Sequence, residues 1–281
     1  MKITKALITA AGRNQRTLPL QTLVDRDGVP KTVLAIIIEE ALSAGIEQVG
    51  VVVQPGDQRE FAAAAGAHAG RIEFLEQSEP LGYGHAVWCA RGFTAASPFL
   101  LLVGDHVYVS SEGLGAAAQL VACAAAADCS VSAVQATHES KLPYFGAIGG
   151  RRVAQHPGLY EVTEVLEKPT PTEAEQRLLV PGLRAGHYLC FFGMHVLTPL
   201  VMDLLGTLVR EAGSRGGVHL STVLAQLARR ESYLAFQAEG RRYDIGGRYG
   251  LLMAQFALGL AGEERDEVMA AMIEVLAQRK A

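Results

Sequence analysis

The stretch Lys5-Ala6-Leu7-Ile8-Thr9-Ala10-Ala11-Gly12-Arg13-Asn14-Gln15-Arg16 decides the fold class. It reads as a short apolar strand, Lys5 to Thr9, followed by a small-residue turn and an arginine. Small residues in such a turn let backbone N–H groups approach a phosphate oxygen, because no Cβ bulk stands between them. Arg16 adds a fixed cation whose fork suits phosphate. Together these features point to nucleotide chemistry at the carboxyl end of a sheet. An ordinary strand-to-helix connection with an exposed arginine is the competing reading.

Working outward, apolar strands and helical stretches alternate. Val33 to Ala44 reads as a helix stopped by Gly45, and Gln48 to Gln54 as a valine-rich strand ended by Pro55-Gly56-Asp57. Asp57 is placed to cap a helix over Gln58 to Ala65. Arg71 to Leu75 and Phe99 to Val103 read as strands around a helix that opens at Gly84. Leu114 to Ala127 is an Ala-rich helix, and Cys129 to Gln135 a further strand. Such alternation predicts a parallel sheet covered on both faces, a doubly wound α/β layer. After residue 137 the pattern changes. Gly146 to Arg151 and Leu159 to Leu166 read as a hairpin-like pair, turned at His156-Pro157-Gly158. Strands Tyr188 to Met194 and Tyr233 to Ala238 follow, with helices over Pro199 to Glu211, Val218 to Arg229, Leu251 to Leu260 and Glu264 to Gln278. A single domain spanning 1–281 is expected, with one half over 1–137, a second over 138–250 and terminal helices over 251–281.

Hydrophobic residues make up 49% of the 281, enough for a sizeable core. The formal net charge of -4 argues against a general nucleic-acid or membrane-surface binder. Cys89, Cys123, Cys129 and Cys190 form no CxxC pair, so buried free thiols in a reducing compartment are expected. No run of ~18 apolar residues and no secretory h-region is seen, which predicts a cytoplasmic protein.

Two aspartates are candidate metal ligands. Asp105 follows the strand Phe99 to Val103, where a carboxylate faces the ligand crevice of a parallel sheet. Asp244 follows the run Tyr233 to Ala238 and precedes Gly246-Gly247. Two carboxylates converging from separate strand ends suit Mg²⁺ over a triphosphate; turn aspartates are the alternative for each. Glu167-Lys168-Pro169 offers an acceptor for sugar hydroxyls and a point charge for phosphate, yet such a tripeptide is common in surface turns. Gln77, before Leu81-Gly82-Tyr83-Gly84-His85-Ala86-Val87, supplies an amide able to read a base edge, or is a polar loop residue. His85 reads as a helix-start or packing residue.

In this order the motifs resemble the sugar-phosphate nucleotidyltransferases, most closely the bacterial UTP–glucose-1-phosphate uridylyltransferases. The family opening Ala-Ala-Gly-x-Gly-Thr-Arg is matched by Ala10-Ala11-Gly12-Arg13-Asn14-Gln15-Arg16, with Pro19 after it. The family glutamine and its Gly-x-Gly-His-Ala-Val segment are matched by Gln77 and by Gly82, Gly84, His85, Ala86 and Val87. Asp105, Gly146 after Tyr144-Phe145, Glu167-Lys168-Pro169 and Asp244-Ile245-Gly246 complete the set. The resemblance implies a Rossmann-like, mixed but mostly parallel sheet with helices on both faces and a smaller sugar-binding portion. It implies synthesis of an NDP-sugar, first UDP-glucose, and pyrophosphate from a nucleoside triphosphate and a sugar 1-phosphate. By it, Ala10, Ala11, Gly12, Gln77 and Gly82 hold the nucleotide, and Gly146 and Glu167 the sugar. Lys168 holds the sugar phosphate, Arg16 the nucleotide phosphates, and Asp105 and Asp244 a Mg²⁺. A homo-oligomer is compatible with it, and no nucleic-acid or membrane partner is implied.

The chain departs from the family pattern in places. Asn14 and Gln15 replace a glycine and a threonine. The Pro-Lys-Glu-Met-Leu-Pro segment, with its phosphate lysine, is replaced by residues 20–31, where Arg26 or Lys31 is the candidate substitute cation. The family's sugar-site asparagine falls near Tyr188, and an acidic pair before the late helix becomes Gly216-Gly217-Val218. A dTTP-using thymidylyltransferase and a non-catalytic sugar-nucleotide-binding paralogue are the alternatives. A dinucleotide dehydrogenase is poorly supported, since Gly12-Arg13-Asn14 does not complete G-x-G-x-x-G.

Overall fold

The computed structural model describes residues 1–12, 16–110, 113–213 and 217–278. Its centre is a nine-stranded sheet. From one edge the strands run Ile72–Glu76, Gln48–Val53, Lys5–Thr9, Phe99–Val103, His187–Leu197, Ser130–His138, Tyr233–Phe236, Leu159–Leu166 and Ala147–Arg152. Only His187–Leu197 and Leu159–Leu166 run against the rest. The sheet is therefore mixed but mostly parallel in strand direction, as the resemblance implies; the alternation of the first half predicts only its parallel part.

Period-two side-chain alternation explains why these runs are apolar throughout. In Lys5–Thr9, Ala6 and Ile8 enter one core while Leu7 enters the other. In Phe99–Val103, Leu100 and Leu102 join the first core, and Phe99 and Leu101 the second. A strand covered on both faces has no polar side to show. Helices Val33–Ser43 and Ala116–Ala127 cover the first face, and Leu200–Ala212 and Leu220–Leu227 the second. No helix among the described residues is long and apolar enough to cross a membrane.

Three features position the site. From Lys5–Thr9 the chain moves outward through Gln48–Val53 and Ile72–Glu76, then returns to Phe99–Val103 on the other side. That reversal opens a crevice at the carboxyl ends of Lys5–Thr9 and Phe99–Val103. Next, Ala147–Arg152 pairs with both Leu159–Leu166 and His187–Leu197, so the last five strands make a closed circuit of pairings. Along His187–Leu197 the neighbour is first Ala147–Arg152 and then Phe99–Val103. A fork opens where these two part, and Gly193, at φ +87, sits at the irregularity in the strand there.

The third feature was not predicted. His106–Val109 pairs antiparallel with Arg241–Asp244, with Asp244 opposite His106. This ribbon carries Asp244 to Asp105. Residues 20–31 likewise contain a small hairpin, Thr22–Val24 with Pro30–Thr32. Asp57 does precede helix Gln58–Ala65, but its side chain makes no capping bond; it pairs with Arg16 instead.

Candidate active site

The crevice holds a cavity of about 490 Å³ lined by Ala10, Ala11, Gly12, Gln77, Gly82 and Asp105, among others. Its floor is fixed by backbone. The Ala10 N–H donates to Val52 O at 2.8 Å, and the Gly104 N–H to Thr9 O at 2.9 Å. A Cβ on Gly104 would stand 2.8 Å from Thr9 O, so glycine is required where the two strands end together.

Gln77 is buried. Its amide nitrogen lies 3.2 Å from Gly82 O and 3.1 Å from His85 Nδ1. A backbone carbonyl accepts only, so the NH₂ end faces Gly82 and the amide oxygen is left for a ligand. His85 stays neutral, because burial lowers its pKa, and its Nδ1 can accept from Gln77. Gly82 sits at φ +123 against Val218, and the Gly84 N–H donates to Val218 O at 2.9 Å. The loop is thus strapped to the segment before helix Leu220–Leu227.

Asp105, His106 and Asp244 offer ligand atoms that all lie within 4.8 Å of one another. The Ile245 N–H donates to Asp105 O at 3.0 Å, and the Gly246 N–H to Asp244 Oδ1 at 2.9 Å, which fixes the second carboxylate. His106 Nδ1 lies 2.8 Å from Asp105 Oδ1 and steadies the first. Two carboxylates with room for phosphate oxygens fit a hard divalent cation, and the imidazole widens the fit to include Mn²⁺.

A second cavity, of about 160 Å³, fills the fork. Gly146, Glu167 and Phe191 line it, and it shares Tyr83, Val103 and His106 with the first. Of the metal-ligand cluster, His106 lines both chambers, Asp105 lines the first, and Asp244 lines neither. A Cβ on Gly146 would meet the Phe191 ring at 2.8 Å. His195 also lines this chamber; burial pulls its pKa down to about 3, so it stays neutral. Its Nδ1 lies 2.6 Å from Ser132 Oγ, which lies within hydrogen-bond distance of the Tyr233 hydroxyl.

The fold thus brings Ala10, Ala11, Gly12, Gln77, Gly82 and Asp105 to one chamber and Gly146 and Glu167 to the next. Arg16 stands beside the first chamber, its guanidinium 3.1 Å from Asp57 and 3.4 Å from Gln54. Lys168, exposed and at φ +46, follows Glu167 but lines neither chamber. Asn14 and Gln15 lie outside the described residues, as do Arg13 and Gly216.

Three expectations need correction. Tyr188 does not line the sugar-side chamber. It packs with Leu142, Leu178 and Cys190, because strand alternation turns 188 and 190 away from the face that carries Phe191. Arg26 and Lys31 line neither chamber. The Arg26 backbone is held by the C-terminal segment, where the Glu263 N–H donates to Arg26 O. Lys31 is ringed by carboxylates, 2.9 Å from Asp25, 2.7 Å from Asp27 and 2.9 Å from Glu39. Burial alone would lower its pKa, but hydrogen bonds to Asp27, Glu39 and Asp25 hold it well above the usual lysine value. A charge so neutralised is a hairpin clasp. Lys31→Met should cost about 1–2 kcal/mol of stability, less at high salt, with nucleotide affinity little changed. Urea melts and nucleotide-binding titrations on one preparation check this; nucleotide affinity weakened roughly tenfold with stability intact would return Lys31 to the site.

The sequence reading missed His106, Tyr83 and Arg242, all on the chamber walls. Arg242 had a signal: it is two residues before Asp244 on an extended segment and so shares its face.

This architecture, an α/β sheet with a nucleotide-sized crevice beside a smaller chamber and a pair of converging carboxylates, is that of a nucleotide-sugar transferase. The chain belongs to the nucleotidyl transferase family, whose model matches residues 5–258. Among its relatives is the UTP–glucose-1-phosphate uridylyltransferase YngB of Bacillus subtilis strain 168, 29% identical over 99% of this chain and 97% of its own. The UTP–glucose-1-phosphate uridylyltransferase 2 of Staphylococcus saprophyticus is also 29% identical, over 98% of each chain. A UDP-glucose pyrophosphorylase solved with UDP-glucose superposes with a TM-score of 0.74 at 22% identity, covering 91% of this chain and 98% of its own. The UTP-bound UGPase from Acinetobacter baumannii superposes with a TM-score of 0.73 at 20% identity, covering 99% and 100%.

Proposed function

We propose that the protein transfers a uridylyl group from UTP to glucose 1-phosphate, giving UDP-glucose and pyrophosphate. The observation that carries this reading is the pair of adjoining chambers, one nucleotide-sized with Asp105 on its wall and one hexose-sized, which meet at His106 of the Asp105, His106 and Asp244 cluster. The full-length relatives named for this reaction support it. Ala11 and Gly12 offer backbone N–H groups to the phosphates, with Ala10 in the floor beneath and Arg16 beside them. Glu167 accepts hydrogen bonds from sugar hydroxyls and Gly146 leaves room for the ring; Lys168, next along the chain but outside the chamber lining, adds positive charge near the sugar phosphate without gripping it. Asp105 and Asp244, with His106 beside them, would hold Mg²⁺, which when bound supplies positive charge to the phosphates. A sugar-phosphate oxygen is already ionised at neutral pH and attacks the α-phosphorus in line without a general base; the residues supply positioning and charge. The two halves of the chain divide the work, with the nucleotide on the side of 1–137 and the sugar phosphate on the side of 138–250.

Pyrophosphate release with a panel of nucleoside triphosphates and sugar 1-phosphates tests this directly. Turnover with UTP and glucose 1-phosphate is expected; silence with every pair would overturn it and favour a non-catalytic binder. Base choice follows from Gln77. Its free amide oxygen accepts the N3–H of uracil, whereas cytosine presents an acceptor there. Gln77→Ala should narrow the preference for UTP over CTP by about 1–3 kcal/mol in kcat/KM, with less effect on kcat for UTP. Unchanged relative rates across the four triphosphates would reduce Gln77 to a loop residue.

A further inference from the structure

Side-chain polar atoms that are buried and unpartnered are few among the described residues: Tyr83 Oη, Gln135 Oε1, Ser221 Oγ and Arg242 Nη1. Three of them, on Tyr83, Ser221 and Arg242, belong to residues that line the second chamber. A buried donor without a partner is destabilising, and a buried charge more so. All three residues stand in the wall of one cavity. Arg242 is the strongest of the three. Its guanidinium carbon stands 3.7 Å from the Phe145 ring centroid, stacked and oriented, and no carboxylate lies within salt-bridge distance of it among the described residues. It shares a strand face with Asp244, two residues on, and lines the sugar-side chamber. Lys168, the sugar-phosphate cation expected from sequence, lines neither chamber, and neither do Arg26 and Lys31.

We propose that Arg242 grips the phosphate of the sugar 1-phosphate, with Ser221 completing the hydrogen bonding of the same ligand in the second chamber. This rests on the reading of that chamber as the sugar-phosphate site. A planar, permanently charged fork already stacked on Phe145 loses little freedom on binding and meets two phosphate oxygens at once. The dianion supplies the acceptors that Nη1 lacks in the free protein.

Pyrophosphate release is measured for wild type, Arg242→Gln, Arg242→Lys and Ser221→Ala, varying each substrate, with melting temperatures on the same samples. Arg242→Gln is expected to raise the KM for glucose 1-phosphate about 10- to 100-fold while the KM for UTP stays within about twofold. Arg242→Lys keeps the charge but not the fork and should fall between; it answers the question if Arg242→Gln does not fold. Ser221→Ala removes an unpartnered hydroxyl, so its melting temperature should hold or rise while the glucose 1-phosphate KM increases. A purely structural Arg242 would lower the melting temperature and leave that KM unmoved, which overturns the proposal. Equal rises in both KM values overturn it as well. Absence of wild-type turnover with any sugar 1-phosphate would instead overturn the functional reading, so the two failures are distinct.

Discussion

Changing Asp105 to Asn is expected to cut turnover roughly 100- to 1,000-fold, and Asp244→Asn by a similar factor, with little change in fold. Each amide keeps the shape of the carboxylate but not the charge: the Asn at 244 can still accept from the Gly246 N–H, and the bond from the Ile245 N–H goes to the main-chain oxygen of residue 105, which the change leaves alone. The reaction gathers a triphosphate and a sugar phosphate at one point, so the ligands of a divalent cation there carry a large share of the rate. Either loss should also weaken Mn²⁺ binding, read without catalysis by electron paramagnetic resonance titration. Turnover within threefold or so of wild type at limiting Mg²⁺, in both variants, would remove these aspartates from the metal site.

Gly82→Ala is expected to cost about 3 kcal/mol of stability or more and to raise the UTP KM well beyond tenfold or so. The residue is at φ +123, a conformation L side chains avoid, and an added Cβ would stand 2.6 Å from Val218 O. Backbone on both sides holds that contact: the Val218 N–H donates to Leu81 O at 3.0 Å, and the Gly84 N–H to Val218 O at 2.9 Å. Relieving the clash pulls the loop from Val218 and takes Gly82 O away from Gln77. Gly56→Ala is the control. Gly56 is also at positive φ, +91, but a Cβ there meets nothing within 4 Å, so only the conformational cost of roughly 1 kcal/mol should appear. Equal effects from the two substitutions would show that the contact with Val218 is not what matters.

The fold was legible where apolar runs are bounded by strong punctuation. Lys5–Thr9, Phe99–Val103, Leu159–Leu166 and helix Gln58–Ala65 occupy the residues read for them. Pairing between distant segments was not legible. Nothing local to His106–Val109 announces Arg241–Asp244 as its partner, so the meeting of the two aspartates was argued from their places after separate strands and from motif resemblance, not from the ribbon that joins them. The residues of the nucleotide-side chamber were readable because small residues and glycines have few other uses at strand ends. Charged residues were not: a lysine in a polar hairpin reads alike whether it faces phosphate or, as Lys31 does, three carboxylates. Tyr188 failed on phase, since a one-residue shift along a strand exchanges the two faces.

The return of Ala147–Arg152 to His187–Leu197 bears on solubility as well as on the site. An open sheet offers unpaired backbone at each end, where a passing chain can add a strand. Here one end is turned back on the molecule and sheltered by helix Pro171–Arg177, whose final carbonyl lies against Gly149. Exposure to strand addition is thereby concentrated at Ile72–Glu76, where Glu73 and Glu76 face solvent. Two such strands laid edge to edge would bring like charges together, which protects the protein from runaway self-association while it is crowded with copies of itself.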